Sequence, residues 1–267
     1  MSSWFYISLV FLSSFLTSWA SEAGIKPFRL GAILGQGEGA YKPMACGSLE
    51  RKIQSVLKKY YNDTFGGDEN WEKLESLILK GQLTLRNGKV FELTINRKKP
   101  DFSKSIITLD GGHKIITSFD GEDTWQHITY ETDKPVDMNN KASLNYTRDA
   151  VFGSHLLYPE LPGKTITYLN EARLDGRLCY RLKVTLPNGQ SLIIAIDIET
   201  GMQIACEYVC AVNNREARLI QSDFRKVAGV SIPCRIEVYW GDELQEVITL
   251  KSIQANRGLT GWMFQRR

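Results

Sequence analysis

An excess of charge of either sign is what this chain most conspicuously lacks: 33 basic and 30 acidic residues leave a net charge of +3 over 267 residues. No stripe of Lys and Arg interleaved with aromatics offsets that balance, so nucleic acid is excluded as a partner. Histidine is scarce, and His113, His127 and His155 lie far apart with no Cys-x-x-Cys pair to join them, so no metal site is expected. Catalytic signatures are missing as well. There is no Gly-x-Ser-x-Gly elbow, Walker A loop, dinucleotide fingerprint or His-Glu-x-x-His. "GQGEGA" at 35–40 follows no strand and does not qualify as a phosphate loop. Asp120, Glu122 and Asp123 sit at an Asp-Gly turn, where backbone geometry alone accounts for them. A non-enzymatic protein without a cofactor is the expectation.

Cysteine is sparse and odd in number, at positions 46, 179, 206, 210 and 234, which forbids complete internal pairing. Cys206 and Cys210 lie four apart on one expected strand, roughly 13 Å, too far to bridge. Cys206, Cys210 and Cys234 share the apolar parity of their strands and read as small buried hydrophobes, whereas Cys179 falls with Arg181 and Lys183. Whether Cys46 and Cys179 pair is open.

Long apolar runs are confined to the start. Residues 1–20 carry no charged side chain, run apolar from Trp4 to Phe15 and end in Ser18-Trp19-Ala20, the pattern of an export signal, with an uncleaved anchor as the alternative because the n-region has no basic side chain. No later run approaches the roughly 20 apolar residues of a membrane-spanning helix. Residues 21–45, rich in Gly, read as a flexible leader, and 46–267 as one domain.

What is present is alternation. A helix is expected first, over 48–62, with Leu49, Ile53, Val56, Leu57 and Tyr60 on one face. Gly66-Gly67 ends it, and Asp68 reads as the N-cap of a short second helix carrying Trp71 and Leu74. The period then becomes two. Leu83 and Leu85, then Phe91, Leu93 and Ile95, alternate with polar residues across an Asn87-Gly88 hairpin, and three further strands arise before residue 130. The stretch 131–163 breaks the rhythm, with a helical turn or more expected around 147–158. Such a long connection tends to be functional or to cover something. Strands then resume at about 164–170, 177–186, 190–198, 202–212, 215–228, 232–240 and 243–254. Roughly a dozen strands against two or three helices imply a curved antiparallel sheet with the helices gathered on one side. That much strand surface exceeds what one helix of about four turns covers, so an apolar hollow is expected, with Trp125, Tyr180, Tyr208 and Trp240 among its large side chains.

Four segments carry a resemblance: "KKYYNDTFGGDENWEKLESLILKGQLTL", "DGEDTWQ", "GRLCYRLKVTLPNGQSLIIAIDIETGMQI" and "FRKVAGVSIPCRIEVYWGDELQEVITLKSIQAN". In their order and spacing, over about residues 48–256, they resemble the LolA-like outer-membrane lipoprotein-sorting proteins. The resemblance implies an unclosed antiparallel barrel lidded by helices, a periplasmic carrier or binder of lipid or lipoprotein acyl chains, and envelope transport proteins as further partners of a monomer. The alternative is a non-enzymatic envelope adaptor or regulatory module gripping a partner protein with the same fold. By strand parity the candidate lining is Leu83, Leu85, Phe91, Leu93, Ile95, Trp125, Tyr180, Leu182, Ile194, Ile204 and Tyr208, with Leu49, Ile53 and Leu57 on the lid. Where the carriers place an Arg before a Pro to bond the lid, this chain has Lys99, a candidate latch without the planar fork, and Arg97 lies nearby.

Overall fold

Period-two alternation from residue 76 onward folds into a single antiparallel sheet. The computed structural model describes residues 25–35 and 41–266; the expected export signal lies outside them. The first run of strands is β1 (Ser76–Leu85), β2 (Val90–Lys98), β3 (Phe102–Thr108), β4 (Lys114–Phe119), β5 (Thr124–Ile128) and the two-residue β6 (Val136–Asp137). The second is β7 (Thr165–Leu174), β8 (Arg177–Thr185), β9 (Ser191–Asp197), β10 (Gln203–Val209), β11 (Glu216–Val227), β12 (Val230–Trp240) and β13 (Glu243–Ala255). Their spatial order is β6-β5-β4-β3-β2-β1-β13-β12-β11-β10-β9-β8-β7, so two meanders meet at the β1–β13 pair and the sheet stays unclosed, with β6 and β7 as its edges.

Register places apolar residues in rows across the sheet: Ile128, Ile115, Ile107 and Leu93 stand side by side, as do Ile236, Ile248, Leu83 and Phe91. Irregularities at Lys80/Gly81, Tyr168/Asn170, Gln203/Ala205 and Val238/Tyr239 each add local bend to this large sheet. At the first of them a Cβ on Gly81 would collide with the Thr249 carbonyl oxygen, so only glycine allows that approach.

Helices cover the inner face. α1 (Leu30–Gly35) is short; α2 (Arg51–Phe65) turns Ile53, Val56, Leu57, Tyr60, Tyr61 and Phe65 toward the sheet at helical spacing. Gly66, at φ 69°, ends α2 in the left-handed region and donates its N–H to Asn62 O at 3.0 Å. α3 (Gly67–Lys73) follows at once. Its cap position is Gly66, not Asp68, whose carboxylate instead accepts the Tyr61 hydroxyl at 2.8 Å. α4 (Asn140–Ala150) begins earlier than the helical turn expected at 147–158, and 151–163 runs irregularly. The Asn139 side chain caps α4 by accepting from Ala142 N at 2.9 Å. The leader expected to be flexible is held where it is described: Phe28 and Leu30 are buried in the main core.

The outer face carries two corrections. Trp125 stands beside Ser118, on the side away from the helices, and is buried beneath the C-terminal segment. Both its indole N–H and the Ser118 hydroxyl donate to Phe264 O at 2.8 Å, while the Phe264 ring sits 5.5 Å from that of Phe102. Ile204 falls at the β9–β10 irregularity, which reverses the parity that places Cys206 and Tyr208 inside. It packs outside with Cys179, Ala195 and Ala205. Cys179 is on the parity of Arg181 and Lys183, as expected, but this small cluster buries it. All five cysteines are buried, and Cys46 and Cys179 do not pair.

Phe264 is the fully buried anchor of the C-terminal segment. Phe264→Ala should lower unfolding stability by about 3–5 kcal/mol in urea titration; near-wild-type stability would show that the segment adds nothing to the outer core.

Candidate functional site

Because β6 and β7 occupy opposite edges, the chain between them must cross the open side of the sheet. That crossing is α4 and residues 151–164. Val151, Phe152, Leu156, Leu157 and Leu161 join α2 and the inner face of β8–β12 in the main core. An aromatic file links the covering pieces: Phe65 to Trp71 at 4.9 Å and Trp71 to Phe152 at 5.8 Å between ring centroids. Gly153, at φ 91°, lets the crossing chain touch α3, for a Cβ there would lie 2.7 Å from the Trp71 ring.

The cover does not fill the hollow. Between Phe65, Trp71, Leu74 and Phe152 above and Leu77, Leu79, Ile232, Ile236 and Leu250 below lies a cavity of about 200 Å³. Its polar lining consists of Tyr60, Trp71, Thr64, Gln203, Gln221, Ser231 and Arg97; among the described residues no carboxylate, imidazole or thiol borders it. Among the described residues Arg97 is its one charged side chain. Burial holds that guanidinium below its ordinary pKa, opposed by Tyr146 and Asp149.

The β2–β3 turn clips the cover down. Lys99 Nζ donates to the backbone carbonyl of Trp71 and stands 4.2 Å from the Trp71 ring centroid. Pro100 O accepts from Phe152 N at 3.0 Å, and Asp101 accepts from Gly31 N at 2.9 Å. Three consecutive residues therefore hold α3, the crossing chain and α1. Burial pushes the Asp101 carboxyl up to about 6, against the opposing pull of the Gly31 and Leu30 N–H groups.

A second set of buried charges stiffens the crossing chain. The Arg148 guanidinium makes paired contacts to Asp149 at 2.8 and 3.0 Å and lies 3.5 Å from the Tyr208 ring centroid. Lys164 Nζ donates to the carbonyls of Leu157 and Tyr158, and burial alone pulls its pKa down to about 7. Burial, then the cations Lys164 and Arg148, take His155 down to about 3, so its imidazole is neutral at ordinary pH.

None of the eleven side chains chosen for the lining borders this cavity. Leu83, Leu85, Phe91 and Leu93, with Ile95 half-buried beside them, interlock in a separate cluster with their strand neighbours. Leu182, Ile194 and Tyr208 are packed core, and Tyr180 is half-buried at its margin, 4.5 Å beneath Lys52 Nζ. Ile53 and Leu57 of the lid are buried on the sheet, with Leu49, just before α2, partly so. The bordering residues had a signal in the sequence. Leu77 and Leu79 continue the parity of Leu83, and Ile232 and Ile236 that of Cys234, toward the strand ends that α3 overlies.

No protein-family model and no curated protein sequence matches the chain. Solved structures do. A LolA superfamily protein from Nitrosomonas europaea is similar at TM-score 0.52 and 14% identity, over 80% of this chain and 97% of that one. A domain assigned to outer membrane lipoprotein sorting, from Vibrio parahaemolyticus, gives 0.54 and 10%, over 79% and 97%. The fold is LolA-like. A DUF1329 family protein from Desulfovibrio piger shares it at 0.52 and 16%, over 80% and 97%. In this LolA-like chain the lid is thus a composite of α2, α3 and the crossing segment.

Lys164 supplies a pH test. Its folded pKa of about 7 lies below its ordinary 10.5, so its contribution to stability is full above 10.5 and is lost as pH falls toward 7. Between those values the stability of the wild type minus that of Lys164→Met should rise by about 1.4 kcal/mol per pH unit. A difference flat from pH 7 to 9.5 in chemical denaturation would mean that Lys164 is not desolvated.

Proposed function

We propose that the protein is a periplasmic binder or carrier of lipid or lipoprotein acyl chains, which it shelters between the inner face of the sheet and the clipped lid. The observation that carries this reading is a largely apolar cavity left at the junction of lid and sheet, bordered by Trp71, Phe152 and Ile236, with no carboxylate, imidazole or thiol among the described residues that line it. The lipoprotein-sorting assignment of the similar Vibrio parahaemolyticus domain points the same way. Export by residues 1–20 belongs to the proposal.

Volume sets the terms. A cavity of ~150 Å³ accommodates benzene, so about 200 Å³ holds a stretch of roughly eight carbons with the lid down. Longer chains require the lid to lift. Each methylene removed from water contributes about 0.8 kcal/mol, and parting Lys99 from Trp71 costs about 1–3 kcal/mol. A few methylenes therefore offset the clip. In this reading Lys99 is the latch and α3 the part that moves.

A fluorescent long-chain acyl probe tests it. The wild type should take up the probe, and Ile236→Trp, which fills the cavity, should weaken uptake roughly tenfold with folding intact. Failure of the wild type to bind, together with lipid-free protein in native mass spectrometry and capture of one envelope protein, would favour the adaptor instead. Lys99→Met should speed probe entry and lower stability by about 1–3 kcal/mol; unchanged entry would remove the latch from the mechanism.

A further inference from the structure

A guanidinium carries five N–H donors, and among the described residues Arg97 spends one, on Ser103 Oγ at 3.1 Å. No carboxylate lies within 4.0 Å of it there, and the nearest acidic influence is Asp149, already held at both oxygens by Arg148. The imbalance is wider than one residue. Arg97, Arg148 and Lys164 all act on His155 from within the covered region, with Asp149 as the counter-charge beside Arg148. Arg97 is half-buried, and a charge partly withdrawn from water with few partners is costly, its usual resolution being a counter-ion.

We propose that the cavity takes a single-chain fatty carboxylate, its head paired with Arg97 and its chain lying between Trp71, Phe152, Leu79 and Ile236. This deepens the acyl-binding reading and rests on it. Charge selects the head: one uncompensated guanidinium in the lining matches a monoanion, and the planar fork of Arg meets both oxygens of a carboxylate. Volume selects the tail, for about 200 Å³ has no room for two chains. The position of Arg97 in register with Leu77 and Ser103 puts the head toward the β2–β3 turn, so a bound carboxylate would sit close to the latch at Lys99.

Calorimetric titration of the detergent-free protein with octanoate and with 1-octanol at pH 7.5 decides the matter. Octanoate should bind roughly 10–100-fold more tightly, the worth of a charge-assisted hydrogen-bond pair. Arg97→Met should erase that preference and leave octanol within about threefold of its wild-type affinity, and Arg97→Lys should restore part of it. Equal affinities in the wild type would overturn anion recognition while leaving acyl binding intact; binding of neither would overturn both. Acetate should not compete, and effective competition by acetate would place the affinity in the head alone and overturn the amphiphile. Should Arg97→Met fail to fold, the wild-type preference for octanoate over octanol still upholds or overturns the pairing by itself.

Discussion

A sheet that curves but does not close leaves an apolar inner face that its own strands cannot seal, and the architecture here follows from that constraint. β6 and β7 lie at opposite edges, so the chain between them has to pass over the opening, and it does so as α4 and an irregular segment lined with Phe152, Leu156, Leu157 and Leu161. Crossing and covering are one act. An irregular segment buried this deeply leaves backbone groups without ladder partners, which must be met some other way. Lys164 meets the carbonyls of Leu157 and Tyr158, and the Pro100 carbonyl meets Phe152 N.

Using cations for that task has an electrostatic consequence. A lysine placed where carbonyls need a donor is also a charge withdrawn from water, and its proton is loosened in proportion, hence the pKa near 7. Arg148 escapes the same fate because Asp149 and the Tyr208 ring surround its guanidinium. Arg97 has neither. Among the described residues the sheet supplies one serine, Ser103, and no carboxylate lies close, so the same geometry that completes the cover leaves a sparsely partnered charge at the edge of an apolar space. Shape and charge in that space are therefore linked by construction.

Nearly every strand was legible in the sequence, because alternation and the Asn-Gly turns at 87–88 and 188–189 encode period and hairpin locally. What escaped was encoded by distance. Trp125 has the alternation of a core residue and is one, but of the outer core, since the segment that buries it lies at 257–266 and no local pattern says on which face it docks. Ile204 was illegible for a different reason: one extra residue in β10 reverses parity, and neither Met202 nor Gln203 marks it as a bulge. Asn139 looks like a breaker until its side chain is seen closing the first turn of α4. The cavity was the least legible of all. Parity separates faces but does not tell which part of a face its cover leaves bare, and mid-strand residues such as Leu83 and Leu182, the strongest by alternation, are for that reason the most tightly filled.

That last point bears on how such a sheet acquires a guest site. α2 lies along β7 and β12, and the cavity opens where α3 follows Gly66 and the crossing chain arrives at Gly153. Two glycines at positive φ, Gly66 and Gly153, flank the place where cover and sheet leave this cavity, and the β2–β3 turn clips the cover beside it through Lys99 and Pro100. In the proposed reading, lifting α3 there would expose Leu77, Leu79 and Ile236 and draw Trp71 away from Phe65 and Phe152.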